Sequence, residues 1–266
     1  MVVEKLVDRE ELRSFLMSDP LANAYLLGNL DPAYFQFCEW FGSRDEEGKL
    51  RNLLLVYRGL SIPVVFSSGN GEGLGSFLDE SRAILPKRFH FHVLEEQMGA
   101  LKATYSPEGA TRMIRMGQDR ALYKATTIDE RVERLGHRDT GAIMELYSHY
   151  PDHFFEPYQL ETGLYFGIRD EEEALMSIAG VHVVSETHDV AVIGNLVTHS
   201  SHRGKGLATL CTARLIAELF ERVSLLALNV GEENTVAIKL YENLGFRANN
   251  VFYEGRYSEQ NLEAAS

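Results

Sequence analysis

Ser200-Ser201-His202-Arg203-Gly204-Lys205-Gly206-Leu207-Ala208-Thr209 separates an apolar run, Val190 to Val197, from an amphipathic one, Leu207 to Phe220. It reads as the end of a strand, a glycine-bearing turn and the first turn of a helix. A helix start leaves backbone N–H groups without intrahelical acceptors and carries the positive end of the helix dipole, so it suits an anion. Gly204 and Gly206 let the chain turn and let a phosphate approach the backbone closely. Arg203 and Lys205 add charge. By itself the segment is equally a basic glycine turn with no ligand, because short glycine motifs are weakly specific.

The 266 residues fit two domains of ordinary size. Hydrophobic residues make up 45% and charged residues 24%, enough for a proper core. With 26 basic and 39 acidic residues the formal charge is −13, which argues against general affinity for nucleic acid or an anionic membrane surface. An anionic ligand must then be held by local features, whereas a cationic amine is attracted. Cys38 and Cys211 lack metal-ligand spacing and fit a reducing compartment. No apolar run reaches membrane-spanning length, and charges come too early for a secretory signal. The expectation is a cytoplasmic, metal-free protein, monomeric or homodimeric.

Hydrophobic periodicity alternates strands and helices throughout, an α/β (α+β) pattern with mixed sheets. In the first half the expected helices are 9–17, 21–30, 76–84 and 95–104. The expected strands are 34–41, 53–57, 62–67, 89–93, 111–116 and 121–125. The polar, acidic stretch Thr126 to Glu130 is the expected boundary, giving domains 1–125 and 131–266. The second half reads as strand 132–135, helix 138–147, an aromatic loop from Ser148 to Tyr158, and strands 163–169, 174–185 and 189–197. The glycine turn and its helix follow, then strand 223–230, helix 233–244 and strand 246–257.

An internal repeat is visible. Ser67-Ser68-Gly69-Asn70-Gly71-Glu72-Gly73-Leu74-Gly75-Ser76 lines up with Ser200 to Thr209, half a chain later. Val93 to Gln97 lines up with Val230 to Asn234, Ala100 with Ala237 and Thr104 with Tyr241. In the first copy Asn70 replaces Arg203 and Glu72 replaces Lys205, and a carboxylate there repels a phosphate. Two related folds are expected, with only the second equipped for an anionic cofactor.

Downstream, Asn234, Ala237, Tyr241 and Leu244 share one helix face. Asn234 and Tyr241 are about 10 Å apart along it, with the small Ala237 between them. Taken alone this is also an ordinary core-facing stripe. Together with Arg203, Gly206 and Ala208 it resembles the GNAT superfamily of coenzyme-A-dependent N-acetyltransferases. That family's pyrophosphate loop has Arg or Gln, two residues, Gly, one residue, then Gly or Ala. Its later helix carries Asn, Ala and Tyr before Leu-Gly-Phe, here Leu244-Gly245-Phe246. The resemblance covers about Glu130 to Tyr257. The first half resembles the family only through the repeat, as a degenerate GNAT-like domain. Its Asp19 to Leu30 opening is also similar to two-part acyltransferases of the glycine N-acyltransferase-like branch.

The resemblance implies acetyl-CoA as cosubstrate. Free backbone groups near Leu196, Val197 and Thr198 would pair with the pantetheine arm. The amides of Gly204, Lys205, Gly206, Leu207, Ala208 and Thr209, with the charges of Arg203 and Lys205, would hold the pyrophosphate. An amine would attack the thioester, and an amide near Val197 would stabilise the oxyanion. Tyr241, of a residue type with a pKa of about 10, would protonate the departing thiolate or orient its sulfur. Asn234 would hydrogen-bond the cofactor or its own helix. Many members carry a Glu on the central strand as base. Here Val192 stands at that position, which leaves His182, His199, Glu186, His153 and Glu156 as candidates, His182 and His199 first. The Ser148 to Tyr158 loop lies where the family varies its acceptor site, though it also suits packing between the halves.

Acetyl transfer to a small amine or amino acid is thus the leading expectation. Transfer of a longer acyl group to an amino acid such as glycine, and non-catalytic acyl-CoA binding, are the alternatives.

Overall fold

The computed structural model describes residues 2–69, 73–102, 105–150 and 155–259. Asn70 and Glu72 of the repeated loop, Thr104, and His153 in the aromatic loop lie outside them. Contacts divide the chain into two units. The first comprises 1–115, 231–233 and 249–266; the second comprises 116–230 and 234–248.

The first unit holds β1 (Glu4–Leu6), α1 (Arg9–Leu16), α2 (Ala24–Gly28), α3 (Pro32–Phe35), β2 (Cys38–Arg44), β3 (Leu50–Tyr57), β4 (Val64–Gly69), α4 (Leu74–Glu80), β5 (Arg88–Val93), α5 (Met98–Leu101) and most of β6 (Tyr105–Asp119). β1 to β4 pair antiparallel in sequence order, and β4 pairs parallel with β5 after the α4 crossover. Leu74, Phe77 and Leu78 of α4 close the core against Val65, Phe89 and Phe91.

The second unit repeats this scheme with β7 (Glu133–Leu135), α6 (Thr140–Ser148), β8 (Tyr165–Arg169), β9 (Leu175–Ser185), β10 (Val190–Thr198), α7 (Leu207–Phe220), β11 (Leu225–Gly231) and α8 (Thr235–Asn243). β7 to β10 pair antiparallel in order, and β10 pairs parallel with β11 across the α7 crossover. The last strand, β12 (Arg247–Glu259), pairs antiparallel with β5, and from Asn249 on it is counted with the first unit. Leu207, Cys211, Leu215 and Leu219 recur every four residues along α7 and are all buried. Burying each leucine contributes roughly 2 kcal/mol.

The structure corrects two expected strands. The strand expected over 34–41 begins only at Cys38, because Asp31 caps a short helix whose first residue is Pro32. Residues 121–125 are not a strand. The Asp119 carboxylate accepts the Ala121 N–H at 2.7 Å, turning the chain, and the Tyr123 ring packs 4.8 Å from Phe220. Among the described residues no helix is long and apolar enough to cross a membrane.

Candidate active site

β9 and β10 are irregular at one place. The ladder steps from Val192↔Val183 to Ile193↔Val181, so His182 is an extra residue on β9. It then steps from Gly194↔Gly180 to Val197↔Ile178, so β10 carries an extra residue within Asn195–Leu196. Bulges re-aim side chains and bend the strand. The second has Asn195 at φ +55°, a left-handed conformation that asparagine tolerates better than most residues. Its amide donates to Gln159 Oε1 at 3.1 Å and to the Tyr165 hydroxyl at 2.6 Å, and Tyr165 in turn donates to the Val181 carbonyl at 3.0 Å.

Next to these bulges β10 parts from β11. Their parallel ladder runs from Val190↔Leu225 to Ile193↔Leu228, while β10 continues to Thr198 and β11 to Gly231. Leu196 is half-buried and Val197 buried along this segment. The Thr198 hydroxyl shares a 2.8 Å hydrogen bond with Ser177, and the Thr198 carbonyl accepts the Tyr150 hydroxyl at 2.8 Å.

The loop that follows has the geometry its sequence suggested. Gly204 and Gly206 both sit at φ +76°, and Gly206 is the residue before α7. The Leu210 N–H bonds the Gly206 carbonyl at 3.2 Å, so the amides of Leu207, Ala208 and Thr209 precede the first complete helical bond. Arg203, Gly204, Lys205 and Gly206 are exposed, and Leu207 beneath them is buried. The Arg203 guanidinium lies 5.4 Å from the Tyr150 ring centroid, and Lys205 Nζ lies 3.1 Å from His202 Nδ1.

On α8, Asn234 Oδ1 accepts the Ala237 N–H at 3.1 Å, making Asn234 the helix cap. The same face grades from exposed Asn234 through half-buried Ala237 to buried Tyr241, which is 7% exposed. Burial pushes the Tyr241 hydroxyl up to about 12.

The two leading histidines have different surroundings. His182 lies against Gly194 on the neighbouring strand, and burial holds its imidazole down at about 4, so it is neutral at pH 7. His199 ends β10. Its Nδ1 is 2.7 Å from the Ser201 hydroxyl, and its ring stands edge-on to His149 at 4.8 Å. His199, His202 and His149 share the wall of a cavity of about 320 Å³ with Glu145 and Leu146 of α6 and with Asp170 and Leu175. Glu186 lies 3.4 Å from Arg222 at the β9–β10 turn, and the Glu156 N–H bonds Gln159 Oε1. Among the described residues no cluster of His, Cys, Asp and Glu is placed to hold a metal ion.

Sequence reasoning passed over Asn195, Gln159 and Tyr165, which together fix the β10 bulge. Of the three, only Asn195 left a signal: a polar residue amid the apolar run Val190 to Val197.

The parallel β10–β11 ladder thus ends just ahead of the glycine turn that leads into α7. Residues 131–246 match the model of the acetyltransferase (GNAT) family. Among solved structures, a Drosophila protein superposes with a TM-score of 0.74 at 12% identity, covering 97% of this chain and 98% of its own. A protein assigned to the GNAT family of acetyltransferases from Novosphingobium aromaticivorans gives 0.64 at 18% identity, covering 91% and 100%. A tandem GNAT protein from the clavulanic acid biosynthesis pathway gives 0.56 at 16% identity, covering 97% and 98%. No curated protein matches the chain. Residues 131–246 are a domain of the acetyltransferase (GNAT) family.

Proposed function

We propose that the second unit transfers an acetyl group from acetyl-CoA to the amine of a small molecule or amino acid. The observation that carries this reading is the end of the β10–β11 ladder at Ile193 and Leu228, in the unit that also presents the Gly204–Gly206 turn and the start of α7. Leu196, Val197 and Thr198 would receive the pantetheine arm. The amides of Gly204 to Thr209, with Arg203 and Lys205, would receive the pyrophosphate. The β10 bulge supports an amide near Val197 as the oxyanion donor, since it turns this part of the strand out of regular pairing.

The pKa directions favour hydrogen bonding over full proton transfer as the role of Tyr241 and His182. Moving a proton from a hydroxyl at about 12 to a thiolate of ordinary pKa about 8.5 is uphill by about 5 kcal/mol. Tyr241 therefore serves best as a donor that orients the sulfur and shares its proton only as charge develops. Likewise, an imidazole at about 4 cannot strip an alkylammonium of pKa about 10. His182 serves best as a neutral acceptor that orients an amine arriving already deprotonated, with His199 the alternative base. Asn234 acts through its cap on α8.

The first unit carries the same strand–helix–strand crossover. Its interior supports the reading that it is degenerate. Phe66 is tilted against His92 at 4.7 Å between centroids, His92 stacks on Phe252 at 5.4 Å, and Tyr25 lies 5.4 Å from both Phe66 and His92. A pantetheine arm would have to displace these rings.

The test is free-thiol release from acetyl-CoA and from longer acyl-CoAs over a panel of small amines and amino acids. Turnover with acetyl-CoA is the expected result. Turnover only with longer acyl groups would replace acetyl as the donor, and tight acyl-CoA binding without thiol release from any amine would overturn the enzymatic reading.

A further inference from the structure

Tyr150 lies just past the end of α6, and its N–H donates to the Tyr147 carbonyl of the last helical turn at 2.8 Å. Its hydroxyl crosses to β10 and donates to the Thr198 carbonyl at 2.8 Å. The direction of that carbonyl follows from the register. Thr198 faces Ser177 across the β9–β10 ladder, and the His199 N–H donates to the Met176 carbonyl at 2.8 Å. A bond from the residue after Thr198 to the residue before Ser177 makes these two a non-hydrogen-bonded pair. Thr198 therefore turns its own N–H and carbonyl away from β9, toward the side on which the ladder to β11 has ended at Ile193.

The same tyrosine carries Arg203. The guanidinium lies 5.4 Å from the Tyr150 ring centroid, within cation–π range. Arg203 is exposed and Tyr150 half-buried, so the ring restricts a long side chain that is rich in rotamers. A ring face attracts a guanidinium through its charge and offers it no lone pair. The contact therefore orients Arg203 without replacing a phosphate as its hydrogen-bond partner. The hydroxyl bond is equally compatible with a ligand, because a carbonyl oxygen has two lone pairs and Tyr150 takes one. Thr198 is fixed a second time through its own hydroxyl, 2.8 Å from that of Ser177. One side chain thus ties the open edge of β10 to the charge of the glycine turn.

We propose that Tyr150 is a positioning residue for the cofactor. Its hydroxyl fixes the edge of β10 that would receive the pantetheine arm, and its ring holds Arg203 ready for the pyrophosphate. This role rests on the reading that the second unit binds acyl-CoA.

The full chain and its variants are titrated calorimetrically with coenzyme A. Tyr150→Leu loses both contacts and should weaken binding about five-fold, as expected for an exposed cation–π contact together with one hydrogen bond. In an Arg203→Ala background the ring has no guanidinium to hold, and Tyr150→Leu should cost only about two-fold. Tyr150→Phe keeps the ring and should cost about two-fold in both backgrounds. A Tyr150→Leu loss that is equal with and without the Arg203 side chain would overturn the proposal, since a merely structural residue would act alike in both. So would full coenzyme A affinity in Tyr150→Phe, which decides the matter if Tyr150→Leu fails to fold. If the wild-type chain bound no coenzyme A, the acyl-CoA reading would fall and this role with it. Wild-type binding with either of the other two results removes the role of Tyr150 alone.

Discussion

The imidazole of His182 lies over Gly194 so closely that a Cβ at position 194 would overlap its Cδ2 and Nε2 atoms. The β9 bulge puts His182 there, and the missing side chain of Gly194 gives it room. Gly194→Ala should therefore displace the ring and cost about 1–3 kcal/mol of stability, the usual range for overpacking. Urea denaturation measures the cost. In a His182→Ala background the same substitution should cost less than half as much, and strictly additive losses would show that the two residues do not constrain each other.

The position of His182 also sets a pH dependence. Its folded pKa is lowered from about 6.5 to about 4 by burial. Between those values the unfolded chain binds a proton that the folded chain does not, so stability rises with pH in this window. The contribution is complete above about pH 6.5 and is lost as pH falls toward 4. Its size is at most about 3 kcal/mol, and less because the ring is not wholly enclosed. His182→Gln should flatten the slope of unfolding free energy between pH 4 and 6.5. An identical slope in the variant would mean that other groups produce it.

At Gly206 the backbone has φ +76°, yet a Cβ there would meet no atom within 4 Å. Gly206→Ala then carries only the conformational cost of a left-handed residue, about 1–2 kcal/mol. Coenzyme A binding should weaken more than stability does, because the turn that aims the amides is the part that relaxes. Arg203→Glu, on an exposed residue, should leave stability within about 0.5 kcal/mol and weaken coenzyme A about ten-fold, by an amount that shrinks as salt rises. Calorimetric titration with coenzyme A at two ionic strengths checks both. Unchanged affinity in both variants would remove the loop from the binding site.

Tyr241→Phe deletes one buried hydroxyl on the α8 face. If the hydroxyl orients the thioester sulfur, kcat should fall about ten- to hundred-fold with little change in coenzyme A affinity. The pH profile of the wild-type enzyme should show no limb from Tyr241 below pH 10, since its pKa is pushed up to about 12. Steady-state kinetics across pH 6–10 give both readouts. A variant with full turnover would end the catalytic role of Tyr241.

The glycine turn before α7 and the graded face of α8 were legible in the sequence because each depends on local rules. Glycines at 204 and 206 mark left-handed backbone, Leu207, Cys211, Leu215 and Leu219 at four-residue spacing mark the buried side of α7, and Asn234 marks a cap. The strand–helix order was legible for the same reason. What the sequence did not reveal is register. The extra residues at His182 and Asn195 arise from pairing between two strands, and neither strand alone encodes them. The return of β12 to β5 is also a long-range pairing without a local signature. Near Pro32 the failure was local: aromatic residues from Tyr34 on suggested a strand, while the Asp31–Pro32 pair had already started a helical turn.

Asn195 allows the bulge to be tested separately from the side chains around it. It combines φ +55° with two amide hydrogen bonds in a site only 9% exposed. Asn195→Gly keeps the backbone conformation and removes the hydrogen bonds, at about 1–3 kcal/mol for the buried groups it leaves behind. Asn195→Ala removes the same bonds and also has to hold a left-handed backbone with a Cβ, so it should be less stable than the glycine variant by about 1 kcal/mol. Both changes free Gln159 and Tyr165 to move, and both should lower turnover. The alanine variant should lower it further, because relaxing φ at 195 re-aims the amides of Leu196 and Val197. Coenzyme A affinity, which in the proposed site rests mainly on the 203–209 loop, should change less than turnover in either. Denaturation midpoints, thiol release and coenzyme A titration on the pair supply the three readouts. If alanine proved as stable as glycine, the left-handed conformation at 195 would not be what holds the strand out of register.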